Sequence, residues 1–368
     1  MSTKAELRAE ARRLMGFFEA AGAEVVEADI LQPAETLLDL YGEDIRARAY
    51  VTSDPLRGEQ MLRPDFTVPV VQKHMAEGAE PARYTYSGEV FRRQEEEMDR
   101  PFEYLQVGYE VFDRENPMAA DAEVFQLFSE VLSPLGLRAA TGDIGILKAA
   151  VEGLSTTDRR KQALLRHIWR PRRFRALLDR FGAGAKPAAS REKMLNLLDS
   201  NSVEVLIENG GPQVGLRSEK EVAFRMRALK ADAKEAPINA SEVELLEIIL
   251  GLRETAPNAL ENLRDIAVDM PVIAPAVRQV AKRLEALDTR GIDVSTLDFD
   301  ASHGRSTMEY YDGFVFSFSA LGRPDLPPVA TGGRYDALTR VLGNGRSIPA
   351  VGGVIRPELV QLLKGKTA

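Results

Sequence analysis

The chain has 368 residues, 44% of them hydrophobic and 28% charged, with a formal net charge of −8 and a pI near 5.3. That composition fits a globular protein with one large core or two domains. The acidic balance argues against general nucleic-acid binding, because a polyanion needs a positive surface. Without cysteine there are no disulfides, thiolate chemistry or cysteine zinc sites. His74, His167 and His303 have no metal-like spacing, so no metal is expected. No apolar run approaches the roughly 18–20 residues that span a bilayer, and a cytoplasmic location with no membrane partner is expected.

Lys4–Phe18 reads as an amphipathic helix with Leu7, Ala11, Leu14 and Phe18 on one side. Thr3 and Glu6 form a capping box at its start, and Gly22 follows its end. The acidic Glu6 and Glu10 speak against a transit peptide. From Arg83 to Asp113 two Tyr/Val/Phe-rich runs flank Gln94–Pro101, the pattern of two antiparallel strands joined by a long loop. Asp121–Leu132 then has helical spacing. Residues 151–269 are dominated by leucine-rich helical stretches such as Arg191–Leu198 and Ser241–Leu252, and read as a helical insertion. The mixed pattern returns from about 270, with a helix over Val277–Leu287 and strands near Val294–Phe299 and Gly313–Phe318. A Gly-Gly turn and a last helix follow. Residues 1–150 and 270–368 are therefore expected to share one sheet domain.

The segment Glu103–Phe112 (EYLQVGYEVF) carries the most chemistry. Alternation puts Leu105, Val107, Tyr109 and Val111 on one face and Tyr104, Gln106, Gly108 and Glu110 on the other. Gln106 and Glu110 would lie ~13 Å apart, with Gly108 leaving a gap for a small ligand on the sheet. A carboxylate and an amide beside an opening suit an ammonium or imidazole group; the same pattern also fits a solvated strand face. The preceding strand places Tyr84, Tyr86, Gly88, Val90 and Arg92 together, and Arg92 could hold a carboxylate or phosphate or be a surface charge. Leu62–Thr67 (LRPDFT) sets Asp65 and Thr67 after a proline-fixed turn, apt for an α-amino group. Gly332–Asp336 (GGRYD) would let backbone approach a ligand closely. Arg159–Arg175 is strongly basic, with Trp169 and Phe174 interleaved; it could contact RNA, nucleotide phosphates or an acidic partner, and reads first as a solvated helical face or a protein contact.

Together these segments resemble the catalytic core of histidyl-tRNA synthetases, in order and over nearly the whole chain. Val90–Gln94 (VFRRQ) looks like the second class II motif, and Gln106 and Glu110 fall on the family's histidine-contacting pair. Asp65 and Thr67 match the Glu and Thr of its Leu-Arg-Pro-Glu-Gly-Thr loop. Tyr310 and Tyr311 match its tyrosine pair, and Gly332–Leu338 its Gly-Gly-Arg-Tyr-Asp-Gly-Leu segment. The resemblance implies an α+β fold, a class II synthetase-type antiparallel sheet flanked by helices, with a helical insertion.

Other positions depart from the enzymes. Ser306 stands where the synthetase has its catalytic arginine, Leu359 replaces the ATP-gripping arginine of the third motif, and Phe102 replaces another arginine. Asp29 takes the usual proline position of the first motif. Each preorganised cation lost costs ~10²–10³-fold in adenylate formation, although such losses are not additive. With the sequence ending at Ala368, no anticodon-binding domain is expected. A synthetase core that keeps its amino-acid pocket and loses these functions resembles the ATP phosphoribosyltransferase regulatory subunits. The resemblance implies a non-catalytic role with no cofactor, L-histidine as ligand, and a homodimer through the core. It also implies a hetero-octamer with the short-form catalytic subunit, and no tRNA partner. Histidine binding is expected at Asp65, Phe66, Thr67, Arg92, Gln106, Glu110, Tyr310 and Tyr311, with the loop at 303–309 closing over it. The alternatives are an active amino-acid-activating enzyme, a stand-alone histidine sensor, or an RNA-binding module using Arg159–Arg175.

Overall fold

The N-terminal helix Lys4–Ala20 forms as its pattern predicts: Thr3 and Glu6 make the reciprocal capping box, and Ala11, Leu14 and Phe18 are buried. Phe18 packs against Tyr109 and Phe128, with ring centroids 5.1 and 5.4 Å away. The structure is a computed structural model that describes residues 3–41, 48–93, 101–184, 187–212, 214–304 and 310–367. The chain divides into two compact units, one made of Met1–Ala149 with Ile249–Ala368 and the other of Ala150–Ile248.

The first unit is built on a nine-stranded sheet. Its strands in chain order are β1 (Glu24–Val25), β5 (Ala82–Phe91), β6 (Glu103–Phe112), β7 (Arg138–Asp143), β8 (Arg253–Thr255), β9 (Asp298–Asp300), β10 (Phe314–Ser319), β11 (Ala330–Arg334) and β12 (Ala350–Ile355). The remaining strands, β2 (Leu31–Pro33), β3 (Val51–Asp54) and β4 (Gly58–Leu62), form a separate small sheet. The large sheet runs β1-β5-β6-β12-β11-β10-β7-β9-β8. Its centre, from β5 to β7, is antiparallel throughout, and only the β1–β5 and β7–β9 pairs are parallel. The fold is α+β, as expected.

Two sequence expectations change here. Gly332 and Gly333 sit inside β11, between β10 and β12, and not in a turn. Phe316 and the Gly352 carbonyl crowd the first and the Phe314 carbonyl crowds the second, so a side chain at either would collide. The glycines serve close packing within the sheet. The sheet unit also resumes at Ile249 and not near 270. Helix Ala256–Asp269 buries Ala259, Leu260, Leu263 and Ile266, and short β8 before it pairs with β9. A three-residue edge strand gives too weak a pattern to be read amid helices.

A buried ionic network joins the two parts of this unit that the helical segment separates in sequence. Asp121 accepts from Arg283 Nε at 2.7 Å and from Arg334 Nη2 at 2.6 Å, and is fully buried. Arg283 reaches Asp143 at 2.8 Å, and Arg334 reaches Asp336 at 3.0 Å. Removing one partner from such a network strands a charge in the core. Asp121→Ala is therefore expected to lower stability by about 3–5 kcal/mol, measured as the shift in urea unfolding followed by circular dichroism.

The second unit is helical. Leu198, Val203 and Ala223 form a small core with Met194, Leu206, Ile207, Met226 and Leu229 packed around it. Helix Pro171–Phe181 buries Phe174, Leu178 and Phe181 along one stripe.

Candidate functional site

β5 and β6 pair over ten residues, with Tyr84 opposite Glu110, Tyr86 opposite Gly108 and Gly88 opposite Gln106. The face carrying these residues is covered, so the solvated-face reading fails: Gln106 and Glu110 are each 1% exposed. The loop after β4 supplies part of the cover. Arg63 donates from Nε to the Glu89 carbonyl at 2.8 Å and also reaches the Ala28 carbonyl. Its guanidinium lies 4.0 Å from the Phe66 ring centroid. Phe66 stacks on Tyr86, with centroids 4.4 Å apart and planes at 12°.

These rings occupy the room that the glycines leave. The Tyr86 ring fills the gap at Gly108, and Arg63 with Phe66 fills the gap at Gly88. The space beside Gly108 is thus taken by an aromatic side chain from the neighbouring strand, and not open for a ligand. The physical reason is the register, which sets a tyrosine of β5 directly opposite the glycine of β6.

Glu110 is the chemical centre of the site. Its Oε1 accepts from Tyr86 at 2.8 Å and from Thr67 at 3.4 Å, and its Oε2 from Tyr335 at 2.6 Å. Gly352 of β12 lies opposite it, where a Cβ would collide with the carboxylate. Burial pushes the Glu110 carboxyl up to about 7, against the tyrosine and threonine donors that favour its charged form, and the nearby Asp65 carboxylate adds to the rise. Burial first, and the Glu110 charge next, hold the Tyr86, Tyr311 and Tyr335 phenols above their usual range, so all three remain donors.

The remaining predicted residues lie around this centre. Asp65 is buried, and its Oδ1 faces the Val68 amide at 3.5 Å at the start of helix Thr67–Glu77. Thr67 lies between Glu110 and the Tyr310 hydroxyl, 3.2 Å away, and so belongs to the Glu110 end of the site. Tyr310 and Tyr311 meet edge to face at 4.9 Å. Arg92 donates to the Pro64 carbonyl at 2.8 Å, and its positive charge acts on Tyr311. Gln106 keeps a buried Oε1 without a hydrogen-bond partner among the described residues, an acceptor open to a donor. Ser306, Arg305, Gln94 and most of the expected closing loop lie outside the described residues. Phe102 is half exposed, and Leu359 is partly buried on helix Pro357–Thr367.

Tyr86 and Tyr335 are the residues to which the sequence assigned no role. Tyr86 shares the β5 face with Gly88, and alternation alone could have aimed it at Glu110 once the register was known. Tyr335 was hidden in the supposed loop. Within Gly332–Asp336, Arg334 and Asp336 belong to the ionic network, and only Tyr335 faces the site. The basic stretch is likewise divided by the structure. Arg160 is buried against Asp232, Arg175 pairs with Glu247 at 2.8 Å, and Phe174 is in the helical core. Phe174 is therefore no stacking platform for bases.

Comparison with known proteins shows the family of the chain and relatives of its fold. The profile of the histidyl-tRNA synthetase family matches residues 2–209 and 216–360. The ATP phosphoribosyltransferase regulatory subunit of Brucella anthropi is 30% identical over 358 residues, covering 94% of each chain. That of Agrobacterium fabrum is 31% identical over 371 residues, covering 96% of each. Among solved structures, an ATP phosphoribosyltransferase regulatory subunit/histidyl-tRNA synthetase from Bacillus halodurans superposes with a TM-score of 0.68 at 20% identity. It covers 98% of this chain and 79% of its own, and shows a shared fold.

The raised Glu110 carboxyl gives a pH signature. The folded protein holds its proton up to about 7, whereas the unfolded chain releases it near the ordinary glutamate value of 4.5. Stability from this group is fully present below the unfolded value and is lost as pH rises towards 7. Relative to Glu110→Gln, the wild type is expected to lose about 3 kcal/mol across that window, measured by chemical denaturation at a series of pH values.

Proposed function

The chain belongs to the histidyl-tRNA synthetase family, among its ATP phosphoribosyltransferase regulatory subunits, and from that membership we propose that it binds L-histidine to control a short-form catalytic subunit. The observation that carries the reading is the buried Glu110 carboxyl, ringed by hydroxyls and close to Asp65, on the same strand face as Gln106, whose carbonyl is unpaired among the described residues.

A carboxyl that titrates near 7 is matched to an imidazole, whose ordinary pKa is about 6.5. The pair can hold one proton between them, either as carboxylate and imidazolium or as carboxylic acid and imidazole. Glu110 and Tyr311 read the ring in this proposal. Asp65 and Gln106 take the α-ammonium group, Thr67 stands with Glu110 at the ring end, and Arg92 holds the carboxylate. Tyr310 and Phe66 wall the site. Histidine shifts the catalytic partner by binding one conformation of the complex better than another.

The protein activates the catalytic subunit in this reading, within a hetero-octamer built on a homodimer of the synthetase-like core, in the cytoplasm. It forms no aminoacyl-adenylate, because the cations that grip ATP in the enzymes are replaced at Ser306 and Leu359. Phosphoribosyl-ATP formation by the short catalytic subunit is expected to rise on adding this chain and fall again as histidine is titrated. An unchanged rate in both arms would remove the regulatory reading. Glu110→Gln is expected to weaken histidine binding by roughly 10- to 100-fold, read by calorimetry. Histidine-dependent ATP–pyrophosphate exchange is expected to be absent, and a measurable exchange rate would restore the enzyme alternative.

A further inference from the structure

Within the helical unit, Asp232 at the end of helix Glu219–Asp232 sits among arginines from three other segments. Its Oδ1 accepts from Arg160 Nε at 2.8 Å and its Oδ2 from Arg191 Nη2 at 2.7 Å. Arg160 is held completely: Nη1 donates to the Ala236 carbonyl at 2.7 Å and Nη2 to the Asp232 carbonyl at 2.9 Å. Arg160 and Arg180 lie over the same Phe181 ring, 5.2 and 5.9 Å from its centroid, which brings Arg180 to the edge of the cluster.

Positive charge is in surplus there. Asp232 already serves both Arg160 and Arg191, and Arg180 has no hydrogen bond or ion pair among the described residues. Arg191 also keeps a buried Nη1 without a partner. Partial desolvation, and next the charge of Arg191, hold Arg180 below the usual arginine range; Asp232 opposes the shift, and Arg159 and Arg160 add to the repulsion. Arginine stays protonated even so. The folded unit thus gathers guanidinium groups at a cost that a bound anion would relieve.

We propose that Arg180 and Arg191, with Arg159 beside them, form an anion site for a small phosphorylated ligand, distinct from the site around Glu110. The planar forks of two arginines suit the paired oxygens of a phosphate ester or diphosphate. Arg160 and Asp232 position the site and do not touch the ligand: Arg160 has its donors occupied, and Asp232 orients Arg191. A small ligand is favoured over RNA by the compactness of the cluster, by the burial of Phe174, and by the net charge of −8 on the whole chain.

The test uses inorganic pyrophosphate as probe on the full chain, with binding followed by calorimetry at two salt concentrations. Saturable binding is expected for the wild type, weakened at least about tenfold by Arg180→Gln and partly retained by Arg180→Lys. Arg180 makes no hydrogen bond or ion pair among the described residues, so both variants are expected to stay folded, with Arg180→Gln shifting the unfolding curve little and not enough to account for lost binding. Arg227→Gln, which alters the exposed pair with Glu204, is expected to bind as the wild type does. Absence of saturable binding, or equal weakening by Arg227→Gln, overturns the proposal. Single-stranded RNA that displaces pyrophosphate at far lower phosphate concentration overturns the small-ligand assignment.

Discussion

Asp121 is the point on which the sheet unit depends. Its carboxylate lies between Arg283 and Arg334, two residues that reach it from beyond the helical segment. Each of the three charges would be costly in the core alone, and the arrangement is tolerable only because every member is paired. Asp143 and Asp336 give each arginine a second acidic partner, and Arg283 also lies over the Phe314 ring at 4.6 Å. With Arg334 fixed on one side of its backbone, the next residue, Tyr335, reaches Glu110. A structural ion network thereby sets the geometry of the functional site.

The site itself follows the opposite electrical principle. Glu110 has hydroxyl donors and no paired cation among the described residues, so burial wins over hydrogen bonding and its carboxyl titrates near neutrality. Gln106 keeps an unmatched buried acceptor, a defect that costs about 1–3 kcal/mol in a folded core. Both features raise the energy of the unliganded state and would be relieved by a small molecule with N–H donors. Glycines make the arrangement possible: Gly108 and Gly88 admit the aromatic cover, and Gly352 admits the Glu110 carboxylate. The same contrast appears in the helical unit. The arginines near Asp121 are balanced by acids, whereas those near Asp232 outnumber them.

Much of this was legible in the sequence because it rests on local periodicity and on ordered motifs. The capping box at Thr3 and Glu6, the strand pair 83–113 and the helical stretches each carry their own signal within a few residues. The motifs at 62–67, 90–94, 103–112, 310–311 and 332–338 pointed to the family because they occur in register along one chain. Which residues would share a strand face was also determined, since side chains alternate.

Tertiary structure alone decided what each of those faces meets. The sequence could place Gly108 beside Gln106 and Glu110, but only the β5–β6 register put Tyr86 into the gap. It could show a Gly-Gly-Arg-Tyr-Asp segment, but only pairing with β10 and β12 made it a strand and sorted Arg334 and Asp336 from Tyr335. It could count the arginines of 159–175, but only Asp232 made Arg160 a buried partner and only Glu247 paired Arg175 at the surface. The physical reason is common to all three: local sequence sets backbone conformation, while partners distant in the chain set burial, and burial decides what a polar group does.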